Sequence, residues 1–123
     1  MNIIFKAPPI EVLHHIANER NLWDHQLLRM RVVEQLDDKS EVFQFSCING
    51  LLDFCVDYCV LRTKCTDLLH GACVFVETSV EHPGATLLRT ESVRGVVLAS
   101  RYLIEPIAGG KSRIMHLARI DTK

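Results

Sequence analysis

The sequence predicts an α+β fold, a short strand and one amphipathic helix leading into an antiparallel sheet. Two observations predict it. Apolar residues recur at helical spacing once, in the first fifth of the chain, and from Leu28 onwards the period becomes two. The period-two runs then come in pairs separated by turn residues, the pattern of hairpins joined in series.

The opening "NIIFKAPP" is a short apolar strand stopped by two prolines. Proline lacks a backbone donor and is tolerated in a helix mainly in its first turn, so Pro8 and Pro9 also suit a helix start. From Ile10 to about Asn21, Val12, Leu13, Ile16 and Ala17 recur at helical spacing, with Glu11, His14, His15, Asn18 and Glu19 on the other side, so one face is buried. After "NLWDHQ", Leu28, Met30 and Val32 alternate, "DDKS" turns the chain, and Phe43, Phe45 and Cys47 alternate in return. A second hairpin is "DYCVLRTKCT" and "ACVFVETSV" around the turn "DLLHG". The polar stretch "EHPGATLLRTES" carries Pro83 and Gly84 and is a loop, with the length of a lid. "VRGVVLASRYLIEP" and "SRIMHLARID" make the third hairpin.

Between those last two strands lies Gly109-Gly110-Lys111-Ser112, which has the look of a phosphate-binding loop. Such a loop needs glycine where this chain has Glu105, and a following helix whose N-terminus meets the anion. A strand follows instead, so the two glycines serve a tight hairpin turn, where positive φ is needed.

At 123 residues the chain is read as one domain, 1–123, with 48% hydrophobic and 24% charged residues, enough to bury a core. A net charge of −1 from scattered charges gives no electrostatic footprint for nucleic acid. No signal-peptide core opens the chain and no apolar run approaches the roughly 18 residues of a membrane span, so a cytoplasmic location is expected, peripheral at membranes where lipid is handled. The five cysteines, mostly in apolar strand-like stretches, suit buried reduced thiols better than disulfides. Cys55 and Cys59 lack a second ligand pair at zinc spacing, so neither metal nor cofactor is expected.

"LWD" after the helix, "DYCVLRT" in the second hairpin and above all "SRYLIEPIAGGKSRIMHLARID" carry a resemblance that runs from about Ile3 to Asp121. The chain resembles the START lipid-transfer domain, and within that family the START domains of the deleted-in-liver-cancer group of Rho GTPase-activating proteins. The resemblance implies a helix-grip fold: a curved antiparallel sheet around a long C-terminal helix, with a hydrophobic tunnel between them for a lipid. The family's N-terminal helix and first strands are expected to precede Asn2, and the gripping helix to follow Asp121, so this is a partial domain. The chain departs from the family in two places: of the usual Arg-Asp pair before the central strand's aromatic residue it has Val56 and Asp57, and Lys64 stands where the deleted-in-liver-cancer group has tryptophan.

Arg62 matches a position where sterol-binding members place an arginine facing the cavity. A guanidinium in an apolar tunnel is costly unless it meets a ligand polar group or a carboxylate. No acidic partner is evident in the sequence, and the competing reading pairs Arg62 with a strand neighbour or sends it to solvent. With Arg62 inward, period two brings Tyr58, Val60 and Lys64 with it. Val74, Val76, Leu98, Tyr102 and Met115 join as apolar alternating positions on neighbouring strands, in a register that a one-residue slip would invert.

Catalysis is not expected. His14 and His15 are adjacent on a helix and diverge, His116 has the place of a satisfied imidazole, no cysteine stands out as a nucleophile, and Asp57, Glu77 and Glu105 lie far apart in sequence. The expected function is a non-enzymatic lipid-binding module, a regulatory part of a Rho GTPase-activating protein. Its expected partners are a lipid ligand and, transiently, a membrane surface. The alternative is an interaction module of the same fold that engages a protein partner and holds no lipid. An apolar concave face left uncovered by a helix gives that alternative its weight.

Overall fold

Pro8 is extended, Pro9 opens a helix, and the Pro8 carbonyl accepts the amides of Glu11 and Val12, so the prolines end one element and begin the next as their missing donors require. A computed structural model of the chain describes residues 2–49, 54–86 and 93–121. In order the elements are β1 (Asn2–Phe5), α1 (Pro9–Asn18), α2 (Arg20–Trp23), β2 (Leu27–Gln35), β3 (Ser40–Asn49), β4 (Phe54–Cys65), β5 (Cys73–Ser79), β6 (Val93–Arg94), β7 (Val96–Ile107) and β8 (Lys111–Asp121). A 3₁₀ turn at Leu69–Gly71 joins β4 to β5.

The strands form one 8-stranded sheet in the order β1-β8-β7-β5-β4-β3-β2, with β6 beside β4. Every pairing is antiparallel except that of β6 with β4. The three expected hairpins are present. Gly109 and Gly110, at φ 82° and 70°, turn β7 into β8, the backbone that glycine adopts without steric cost.

The expected helix divides in two. Glu19, at φ −117° and ψ 32°, leaves helical geometry, and the His15 carbonyl accepts both the Glu19 amide (3.1 Å) and Trp23 Nε1 (3.2 Å). The break redirects Arg20 onto the sheet. β2 also departs from simple alternation: as an edge strand with register shifts at Leu27/Arg29 and Val32/Glu34, it leaves Leu28 and Val32 exposed.

Two apolar clusters cover the inner face of the sheet. Val12, Leu13, Ile16 and Ala17 of α1 pack on Cys73, Phe75, Tyr102, Ile104 and Ile114. Beside them Phe43, Phe45, Val56, Tyr58, Val60 and Val97 form the second. The outer face carries a smaller cluster in which Ala85 packs on Val42 and Cys59. There Gln44 Nε2 donates to both oxygens of fully buried Asp57 (3.0 and 3.1 Å) and to the Thr86 carbonyl (2.7 Å), while Arg31 and Arg94 hold the carbonyls of Gly84 and Ala85. The first part of the "EHPGATLLRTES" loop is therefore fastened to the outer face, and its residues 87–92 lie outside the described residues.

Candidate functional site

Antiparallel register decides which side chains meet. Glu41 of β3 and Glu77 of β5 both pair with Arg62 of β4, so all three share the inner face. Arg62 is 2% exposed. Its Nη2 lies 3.2 Å from Glu41 Oε2 and donates to the Ala17 carbonyl near the end of α1, while its guanidinium sits 3.8 Å over the Phe43 ring. Burial lowers the Arg62 pKa, opposed by the charges of Glu77 and Glu41. Arg62 thus pairs with a strand neighbour, Glu41, whose place opposite it was not evident from the sequence.

Next to this group, α2, the turn that follows it and the sheet line a cavity of about 180 Å³. Its apolar wall includes Phe45, Tyr58, Val97 and Tyr102, with the Phe45 and Tyr58 rings stacked at 4.9 Å. Polar side chains converge from the helical turn and from β5, β7 and β8: Arg20, Glu77, Ser100 and His116. Arg20 Nε donates to Asp24 Oδ2 (3.0 Å), its Nη1 lies 3.9 Å from Glu77 Oε1, and its guanidinium covers the Phe45 ring at 3.9 Å. Ser100 Oγ and His116 Nε2 are 3.0 Å apart, and His116 stacks on Tyr102 at 3.9 Å and 5°.

This setting shifts several groups. Burial pushes the Glu77 carboxyl up, against the pull of Arg20 and Arg62. Burial, with Glu77 nearby, pushes the Tyr102 phenol up to about 12. Partial burial, with Asp24 nearby, pushes the Cys47 thiol up to about 11. Burial lowers the His116 imidazole.

Of the sequence-predicted residues, Tyr58 and Tyr102 line the cavity. Val60 and Arg62 share their face outside its wall, under α1 and among the aromatic rings. Lys64 is half-buried opposite Phe75 on that face. Val74, Val76 and Met115 require correction: they share the opposite face. Val74 pairs with Cys65 and Leu103, Val76 with Thr63 and Arg101, and Met115 with Leu103. The reason is phase, because Arg62 faces Glu77, so odd-numbered residues of β5 join even-numbered ones of β4. Leu98 lies in β7 at the register shift between Val97 and Ala99, and its side chain lies outside the described residues. The Val97 amide there donates to Ser79 Oγ (2.7 Å), and the shift brings Val97 and Ser100 into one wall.

The liners that sequence reasoning missed are Arg20, Asp24, Gln26, Phe45, Cys47, Val97, Ser100 and Ala118, with Glu77 and His116 weighed only as catalysts. One signal was available: Glu77 is an acid at an alternating position inside the apolar run "CVFVETS". All five cysteines are thiols rather than disulfides; Cys59 and Cys73 are buried as expected, but Cys65 is exposed at the end of β4.

A curved antiparallel sheet whose inner face packs against α1 and carries a small cavity beside it is an α+β class of fold shared with known proteins. The START domain family model matches residues 4–123, and the chain belongs to that family. It is 46% identical over 118 residues to human StAR-related lipid transfer protein 13, covering 96% of this chain and 10% of that protein. Over 117 residues it is 41% identical to human Rho GTPase-activating protein 7, covering 95% of this chain and 8% of the relative. The chain therefore spans about a tenth of the length of these curated relatives. Among solved structures, the human StarD13 (DLC2) lipid transfer and protein localization domain superposes with a TM-score of 0.93 at 44% identity, over 99% of this chain and 61% of that one. Human StAR-related lipid transfer protein 5, at 20% identity and a TM-score of 0.87 over 99% of this chain and 60% of its own, shares the fold. The resemblance to START domains of the deleted-in-liver-cancer group is borne out, as is the curved antiparallel sheet. No helix among the described residues is long and apolar enough to cross a membrane.

Proposed function

We propose that this chain is a non-enzymatic lipid-binding module that takes one end of a lipid or sterol into the cavity on the inner face of the sheet. Within a longer protein, it would be a regulatory part of a Rho GTPase-activating protein. The observation that carries this reading is the wall of the cavity: Phe45, Tyr58, Val97 and Tyr102 offer apolar area, and Arg20, Asp24, Gln26, Glu77, Ser100 and His116 bring polar groups to the same space. That is the composition of a site that gains affinity by desolvation, about 25 cal/mol per Å² of apolar surface buried, and sets orientation with a polar anchor. At about 180 Å³ the cavity is smaller than the roughly 300–1,000 Å³ of drug-sized sites, so the remainder of the ligand lies along the adjoining apolar face.

The names of the relatives, a lipid transfer protein and a Rho GTPase-activating protein, support the two halves of the proposal. Arg62 is held from within the chain through its Nη2, by Glu41 and the Ala17 carbonyl, while its Nε has no hydrogen-bond partner among the described residues. Native mass spectrometry of the protein purified from cells tests the reading. A co-purifying mass at 1:1 that fragments as a lipid is the expected result. A folded chain that carries no lipid, and instead forms a 1:1 complex with a protein across this face, would replace it with the interaction-module alternative.

A further inference from the structure

The stretch between β5 and β6 crosses the outer face as a strap, described as far as Thr86. The sheet side holds its carbonyls in order: Arg31 donates to Gly84, Arg94 to Ala85 and Gln44 to Thr86. A turn from His82 to Ala85 aims them. It closes with the Ala85 amide donating to the His82 carbonyl (3.0 Å), and Ala85 is buried against Val42 and Cys59.

His82 engages both of its ring nitrogens. Nε2 lies 2.7 Å from Glu34 Oε1 of β2, and Nδ1 lies 2.9 Å from the Gly84 amide nitrogen. A backbone amide only donates, so Nδ1 accepts and is bare, and the ring proton is on Nε2, donated to the Glu34 carboxylate. Gly84 comes this close because it lacks a side chain: a Cβ there would sit 3.1 Å from Nδ1 and 3.3 Å from Val33 Cγ1. The turn is thus capped by a neutral ring in one tautomer.

We propose that His82 is a proton-operated catch on this strap, closed by the neutral imidazole and released when the ring gains a second proton. That proton can go only to Nδ1, where it meets the Gly84 N–H, donor against donor. The charged ring keeps Glu34, whose attraction does not depend on the turn, and its side chain, 22% exposed, has water to receive the Nδ1 proton. No other charged group nearby replaces the lost acceptor. Arg31 and Arg94 are donors that already hold carbonyls, Asp57 faces Gln44 and Arg94, and Glu81 is exposed. Imidazole is the side chain that changes charge between about pH 5 and 8, so the strap loosens in that range, on the face away from the cavity. Nothing in this device depends on what the cavity holds.

Nuclear magnetic resonance on the 123-residue chain, titrated from about pH 8 to about pH 5, tests the catch. Long-range proton–nitrogen spectra should show Nδ1 as the bare nitrogen at the alkaline end. Hydrogen-exchange protection of the Gly84 and Ala85 amides, corrected for the intrinsic rate at each pH, should fall together by about fivefold as the His82 ring titrates, the effect of one net hydrogen bond. His82→Asn, whose side-chain oxygen caps an amide two residues on without titrating, should keep both amides protected throughout. A proton on Nδ1 at the alkaline end, protection that ignores the ring's titration, loss at Gly84 with Ala85 unchanged, or an equal loss in folded His82→Asn overturns the catch. The wild-type titration decides whether or not the variant folds.

Discussion

The pair formed by Arg62 and Glu41 offers a quantitative check on how the inner face is held. The Nη2 to Oε2 distance is 3.2 Å, at which two unit charges attract by about 5 kcal/mol at an effective dielectric of about 20. Desolvation offsets much of that attraction, so the pair adds little net stability, yet breaking it strands a buried charge. Glu41→Leu should therefore cost about 3–5 kcal/mol, with Glu77 only partly compensating, and Arg62→Met a similar amount because two carboxylates lose their cation. The Arg62 variant also frees the Ala17 carbonyl. The double variant removes both charges and leaves Glu77 with Arg20 at 3.9 Å, so it should lie within about 1–2 kcal/mol of wild type. Urea unfolding followed by far-UV circular dichroism at neutral pH supplies the four stabilities. Single costs that sum to the double within about 0.5 kcal/mol would refute the coupling, and with it the claim that the two charges stabilise the fold only as a unit.

Gly95 packs against the inner aromatic group: a Cβ there would sit 2.4 Å from Tyr58 Cε1 and 2.7 Å from Val56 Cγ1. Gly95→Ala should cost about 1–3 kcal/mol by overpacking, read as a lowered urea midpoint, and an unchanged midpoint would show the ring free to move aside. The pKa of Glu77 is raised in the folded chain from 4.5, so its contribution to stability is fully present below that value and is lost as pH rises through the folded pKa. Glu77→Gln lacks this loss. Its stability relative to wild type should climb with pH above about 4.5, and parallel pH profiles for the two proteins would contradict the burial of a titrating carboxyl. Iodoacetamide at mildly alkaline pH should label exposed Cys65 well before buried Cys59 and Cys73, a rank order that peptide mass spectrometry reads directly.

The helix start, the three hairpins and the role of Gly109 and Gly110 were legible because each rests on a local rule: proline geometry, alternation, positive φ. Which residues share a face was not, since that depends on how each connection sets the phase between strands. Ile107 opposite Lys111 keeps even-numbered residues of β7 with even-numbered residues of β8 only through Gly109 and Gly110, so Tyr102 meets His116 and Met115 meets Leu103. The 3₁₀ connection between β4 and β5 does the reverse and pairs even with odd, which moves Val74 and Val76 to the outer face and brings Phe75 and Glu77 in. The shift at Val97/Ala99 changes phase again inside a single strand.

The same logic explains why the charges of the inner face escaped a search along the chain. Glu41, Arg62 and Glu77 are separated by more than ten residues at each step, yet pairing places them in one row across three strands. Arg20 reaches that row only because the helix breaks at Glu19. A partner for Arg62 had to lie directly opposite it once burial was granted, because a guanidinium 2% exposed cannot remain without a carboxylate or carbonyl. The sequence contained the acid, but only the register identified it. Pairing across the strands answers only part of what burial demands of this row, because Arg62 Nε and Glu77 Oε2 have no hydrogen-bond partner among the described residues.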